Sequence, residues 1–198
     1  MASKMEFRRG LFHLICGVII ILLIKFEFLT KWLLLILTIA TLAVSFISRS
    51  YKVPVVYWFL QQFDREKDIE KFPAKGAFFY LAGAAVVMFL FPLDIALASI
   101  AILAVADPFS RFVGVHFGRI KHPFNDKKFT EGAVAGIITG FLAAIIFVRP
   151  AEAFFAAFCA MIAEGIELKL KMHHVDDNII MPIVAGVVIK LVRVISTL

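Results

Sequence analysis

The sequence predicts an all-α, polytopic integral membrane protein of about seven transmembrane helices, with the amino terminus in the cytoplasm. Three observations carry this. Of the 198 residues, 62% are of hydrophobic types and only 18% are charged, more apolar material than a soluble domain of this size can hide. Apolar runs recur at residues 11–24, 28–47, 77–91, 95–115, 133–148, 151–163 and 179–195. Lysine and arginine then segregate between alternate connections. With the amino terminus inside, 15 fall on the cytoplasmic side, and only Lys25, Lys31, Arg149, Lys190 and Arg193 fall on the other, while Arg111 lies within a run. That split is the positive-inside bias. No polar stretch is long enough for a second domain, so residues 1–198 are read as one membrane-embedded unit.

The elements follow in order. Lys4, Arg8 and Arg9 precede the first run and imitate a signal peptide, but no small-residue cleavage site follows, so the run is read as a retained helix. The second run is long enough to span. Residues 53–63 (VPVVYWFLQQF) are short and aromatic, and are expected to lie in the interface plane. Several runs fall short of the ~20 residues needed to cross the hydrocarbon core. They border charged clusters, which favours helices ending in a polar cavity. Pro108 interrupts the fourth run where its charges begin, and Asp176-Asp177-Asn178 precedes the last. The outer connections are minimal, and Glu27, Asp94 and Glu152 read as loop residues there. Cys16 and Cys159 lie inside apolar runs and read as packing residues, not as a disulfide or metal framework. The net charge of +6 has no soluble basic face to serve nucleic acid. It suits anionic lipid headgroups and a polyphosphate ligand instead.

Ionisable residues at membrane depth cost roughly 2.5 kcal/mol or more each, so they mark candidate sites. Asp107 and Arg111, four apart, share a helix face that Gly114 and Gly118 continue. Such a strip can hold a metal-bound phosphate against the backbone, with the guanidinium bridging phosphate oxygens. An internal ion pair beside a Gly-x-x-x-Gly packing motif is the structural alternative. Arg119, Lys121, Lys127 and Lys128 form a basic loop suited to a triphosphate. Glu131 opens the fifth helix, where it complements the helix dipole and Thr130 can cap. Gly136 and Gly140 read as packing positions, while Gly132 reads equally as packing or site. Asp176, Asp177 and Asn178 are all good caps, but two adjacent carboxylates exceed what capping needs and fit magnesium held with substrate phosphates. His173 and His174 read as surface histidines, not zinc ligands. Glu167 can pair with Lys171 at helical spacing, whereas Glu164 sits deeper without an obvious partner. Arg9 and His13 are four apart at the start of the first run, where His13 either handles a hydroxyl or anchors the helix at the interface. Glu70, Lys75 and Gly76 before the third run say little alone.

Taken in order, these segments resemble the CTP-dependent polyprenol kinases, which include dolichol kinase and phytol kinase. Glu6 to Gly17 resembles the family's Glu…Arg-Lys-x-x-His-x-x-x-Gly, and Asp107 to Arg119 its Asp-x-x-Ala-x-x-x-Gly-x-x-x-Gly-Lys. Lys128 to Gly132 resembles Lys-Thr-x-Glu-Gly, and Asp176 to Pro182 resembles Asp-Asp-Asn followed by Pro. Gly10, Ser110 and Phe129 depart from the usual lysine, alanine, and threonine or serine. The middle two motifs are also similar to phosphatidate cytidylyltransferases, but the long Gly-, Asp- and Arg-rich signature that ends those enzymes is missing here.

The resemblance implies a single catalytic domain that phosphorylates the hydroxyl of a membrane isoprenoid alcohol, of dolichol or polyprenol type or of phytol or geranylgeraniol type, at the cytoplasmic face. It implies magnesium on Asp107, Asp176, Asp177 and Asn178. CTP phosphates would meet Arg9, Lys75, Arg111, Arg119, Lys127 and Lys128, with Gly114, Gly118 and Gly132 admitting the nucleotide. The general base is left among Glu131, Glu164 and His13. A CTP-dependent lipid-phosphate cytidylyltransferase is the alternative, and a transporter ranks below both. The expected partners are membrane lipid, CTP and the alcohol, with no nucleic acid. The oligomeric state stays open, a homodimer being one option.

Overall fold

Each of the seven apolar runs folds as a helix in the computed structural model, which describes residues 4–51, 54–64, 66–166, 169–170, 173–174 and 176–197. The helices are α1 (Lys4–Lys25), α2 (Lys31–Ser50), α3 (Pro54–Phe63), α4 (Glu66–Lys71), α5 (Lys75–Leu90), α6 (Leu93–Phe117), α7 (Thr130–Ala144), α8 (Pro150–Gly165) and α9 (Asp177–Ile195). Four of them, α1, α2, α6 and α9, are long and apolar enough to cross a membrane. The 16 residues of α5 and the 15 of α7 reach only about 24 Å at ~1.5 Å rise per residue, short of the ~30 Å hydrocarbon core. Large apolar side chains stand exposed along the outer faces of α1 and α2, among them Leu11, Ile15, Trp32, Ile36 and Ile39. A face of that kind is what lipid tails solvate.

Taken in chain order, α1, α2, α5, α6, α7, α8 and α9 alternate in direction, and their contacts segregate by end. At one end the start of α1 meets the end of α6 through Glu6 and Arg111, and the starts of α5 and α9 meet through Lys75 and Asp176. There too Lys128, just before α7, reaches Glu164 at the end of α8. At the opposite end Arg193, late in α9, donates to Glu152 Oε1 and Oε2 near the start of α8, both at 3.0 Å, and lies 2.8 Å from Asp94 at the start of α6. Trp32 of α2 stacks edge-on against Phe89 of α5 at that same end. The reading of Asp94 and Glu152 as loop residues is therefore corrected. Glu152 is 1% exposed, and it also accepts from the Arg149 amide. Arg193 ties three helix ends together. Glu152→Ala removes both Arg193–Glu152 hydrogen bonds and leaves Arg193 with Asp94, and should cost about 2–3 kcal/mol, below a fully buried broken pair because Arg193 is partly exposed. Thermal unfolding in detergent checks this.

α6 is the central helix and packs against α1, α5, α7, α8 and α9. Its alanines 96, 98, 101, 104 and 106 are almost fully buried, and small residues let backbones approach closely. Two glycines fix the neighbours on α6 and α9. A Cβ on Gly17 would lie 2.3 Å from Tyr80 Oη and 2.4 Å from Ala104 Cβ, and one on Gly83 would lie 2.1 Å from the Asn178 carbonyl oxygen. Gly83→Ala must push the start of α9 away from α5, at about 1–3 kcal/mol for overpacking. We expect a lower unfolding temperature, since the first turn of α9 carries Asn178 against Gly83. Thermal unfolding of the variant in detergent measures the effect.

The basic loop is not a simple connection. Lys121–His122 (β1) and Asn125–Phe129 (β2) pair antiparallel, with Lys121 opposite Phe129. Asn125 Oδ1 accepts the Lys127 amide and helps shape the turn. Lys169–Leu170 (β3) pairs antiparallel with His173–His174 (β4). Glu167 and Lys171, expected to pair, lie outside the described residues, as do the side chains of His173 and His174.

Candidate active site

The charged groups that the sequence scatters over five segments meet where α6, α8 and α9 come together. Pro108 lacks an amide to donate to the preceding turn, which loosens α6 one residue after Asp107. Asp107, Glu164 and Asp177 each offer an oxygen, and these oxygens lie within 4.8 Å of one another. Asp107 and Glu164 are buried. At an effective dielectric of ~20, each such pair of like charges repels by about 3 kcal/mol or more.

Two cations answer part of that charge. Arg111 Nη2 donates to Asp107 Oδ1 at 3.1 Å, and its Nη1 lies 3.6 Å from Glu6. Lys128 Nζ donates to the Glu164 carboxylate and to the Glu164 carbonyl at 2.6 Å. The β1–β2 hairpin is what returns Lys128 to this point. Among the described residues no cation pairs with Asp177. Glu6, the second partner of Arg111, is a fourth carboxylate beside these two cations, and all the offered donors are hard oxygens. That donor set fits magnesium better than a soft metal.

His13 lies beside this group. Its Nε2 donates to the Leu103 carbonyl at 3.3 Å, which leaves Nδ1 with the ring's lone pair. The ring meets Tyr80 edge-on at 4.5 Å. Arg9, His13, Tyr80, Asp107, Arg111 and Asn178 share the lining of one cavity of about 480 Å³.

Other predicted site residues stand elsewhere. Asp176 caps α9, accepting from the Asn178 amide at 3.2 Å and from Asn178 Nδ2 at 2.8 Å. It also faces Lys75 at 3.7 Å. Burial and the neighbouring Asp177 push its carboxyl up to about 6. Of the adjacent pair, then, Asp177 joins the carboxylate group, while Asp176 and Asn178 serve the cap. Lys75 is tied to that cap. Glu131 is turned away from the site. Its Oε1 accepts the Arg119 and Ile120 amides at 2.9 and 3.1 Å, clamping the end of α6. Hydrogen bonds from backbone amides, its own among them, hold its carboxyl below the usual range, which suits a structural acceptor and not a base. Thr130 does not cap α7: Phe129 holds that position, and the Thr130 hydroxyl donates to the Lys121 carbonyl. The side chains of Arg119 and Lys127 are exposed.

The glycines expected to admit a nucleotide are filled by protein instead. A Cβ on Gly118 would lie 2.3 Å from the Phe129 ring, and one on Gly132 would lie 2.4 Å from the Ser110 carbonyl. Gly114 faces Gly132 and Phe129 at ordinary contact distances. These positions let α6, α7 and β2 close on one another. Phe129, a departure from the resemblance, supplies the filling ring, and Lys121 lies over its face at 4.2 Å. Gly136 and Gly140 pack on Met161, Ala106 and Ala157, as expected of packing positions.

Tyr80 was not legible as a site residue, since it sits in an apolar run where an aromatic is unremarked. The helical spacing of Gly17 to His13 was the available signal that a neighbour approaches there.

No family model matches the chain, and no solved structure matches it. It is similar to an uncharacterized protein of Methanocaldococcus jannaschii, with 25% identity over 189 residues and 93% of each chain covered.

Proposed function

We propose that the chain is a CTP-dependent kinase of a membrane isoprenoid alcohol, with seven spans, a cytoplasmic amino terminus and its active site on the cytoplasmic face. The observation that supports this most is the convergence of Asp107, Glu164 and Asp177 with Arg111 and Lys128 at the end of the bundle that carries most of the lysines and arginines. Carboxylates that share a cation, flanked by groups that can hold phosphate, are the common equipment of phosphoryl transfer. The order of the segments that resemble polyprenol kinases supplies the choice of acceptor and donor.

Asp107, Glu164 and Asp177 would hold magnesium, which when bound would supply positive charge against the phosphates. Arg111, already aligned by Asp107 and Glu6, presents its fork to phosphate oxygens. Lys128 holds the Glu164 carboxylate in place and remains within reach of a phosphoryl group. In the transfer, the alcohol oxygen bonds to the γ-phosphorus, the bond to the β,γ-bridging oxygen breaks, and CDP departs with that electron pair. The hydroxyl proton goes to a base. Of the three candidates, Glu131 is clamped on backbone amides and Glu164 is occupied by Lys128. His13, with Nδ1 unprotonated at the cavity, is the base we assign.

CTP binding to the purified protein in detergent tests this reading. Binding should require magnesium and disappear on chelation with EDTA. Binding that ignores magnesium, or no CTP binding at all, would contradict it and favour a protein that moves ions instead.

A further inference from the structure

We propose that the cavity between α1, α3 and α5 is the acceptor site, where a single-chain alcohol binds with its hydroxyl at His13 and Tyr80 and its hydrocarbon leaving past α3. The inference rests on the kinase reading, which it deepens by locating the substrate. At about 480 Å³ the cavity falls in the range of small-molecule sites. Asp107 and Arg111 line its inner end, so it opens directly onto the carboxylate group.

Two buried polar atoms in the lining have no hydrogen-bond partner, Tyr80 Oη and Arg9 Nη1. Tyr80 is 5% exposed. Buried polar atoms are nearly always satisfied, so two orphans on residues that line one cavity need an explanation. A ligand that carries a hydroxyl answers Tyr80, and an oxygen of the incoming phosphoryl group answers Arg9.

The outer end is apolar. Cys16, Ile19 and Ile20 of α1 face Val56, Phe59 and Leu60 of α3. Ile19 and Phe59 are about half exposed, which puts the mouth on the surface that hydrocarbon covers. α3 is fastened in place as a wall. Arg8 Nη1 donates to Gln62 Oε1 at 2.8 Å, and Asp64 Oδ2 accepts the Ala74 amide at 2.7 Å. A long chain therefore enters sideways from the bilayer and presents only its polar end to the site.

A second cavity of about 260 Å³ lies on the other face of α1, against Phe7, Leu14 and Phe112. The two charges in it, Glu6 and Arg111, face each other, and it contains neither His13 nor Tyr80. It serves as the control.

Cys16 provides a readout that does not depend on turnover. Cys159→Ala leaves Cys16 as the sole thiol of the chain. Its alkylation by a small maleimide should slow at least about fivefold with saturating geranylgeraniol, because an occupied pocket covers most of its lining. Val56→Trp, which fills the tail path, should abolish that protection and raise the KM for the alcohol. Leu14→Trp in the second cavity should change neither. Unprotected Cys16 under conditions where the alcohol is phosphorylated would overturn the cavity assignment and leave the kinase standing. Protection without phosphorylation from CTP would keep the cavity as an alcohol site and remove the kinase reading.

Discussion

Asp107→Asn should lower phosphoryl transfer by at least about 10³-fold with little change in the amount of folded protein. The substitution is nearly isosteric at a buried position, so packing on α6 is kept. It removes one of three converging carboxylates and the stronger of Arg111's two acidic partners. Arg111 retains Glu6, so the guanidinium is not left without a counter-charge. The amide can neither neutralise a divalent cation nor hold Arg111 as firmly, and both losses fall on the charge that shifts in the transition state. The checks are transfer rate at saturating CTP and yield of monodisperse protein after size exclusion. Activity within tenfold of wild type would remove Asp107 from the chemistry and leave its pair with Arg111 a structural one.

The second large effect is a contrast between neighbours. Asp177→Asn should lose about 10²-fold or more in transfer and need much higher magnesium, because its oxygen belongs to the converging group and the change removes a charged ligand. Asp176→Asn should cost tenfold at most. Asparagine caps a helix as well as aspartate does, and the ion pair lost with the partly exposed Lys75 contributes less than about 1 kcal/mol. Magnesium titrations of the two variants side by side read the difference. Equal losses would mean that the pair acts as one ligand set, contrary to the geometry.

The contrast also marks the boundary of what the sequence can tell. Two adjacent carboxylates before an apolar run announce a helix start and an excess of charge. One residue is about 100° of helix rotation, though, so which carboxylate turns inward depends on how α9 packs against α5 and α6. Gly83 decides that, by letting the Asn178 carbonyl come close. The helices themselves were readable because apolar runs of 13 to 21 residues leave little choice. The β1–β2 hairpin was not, since Asn125–Phe129 is mostly polar and carries no alternation to signal a strand. Glu164 stood out as a deep acid without a local partner. The partner, Lys128, lies 36 residues away, and only the return of the hairpin brings the two together. Glycine positions announced close approach without saying to what. At Gly118 and Gly132 the answer was protein.

Glu152 shows the opposite error. Beside Pro150, at the edge of an apolar run, it has the sequence look of a loop acid. Its partner Arg193, which also meets Asp94, is distant in sequence and close only because α6, α8 and α9 run side by side.

The central claim is tested by offering the purified protein magnesium and CTP labelled at either the α or the γ phosphate, with a polyprenol and a lipid phosphate supplied in parallel. Label from the γ position should appear on the alcohol, and none from the α position on any lipid. Label from the α position on the lipid phosphate would contradict the kinase and make the same residues the site of a cytidylyltransferase.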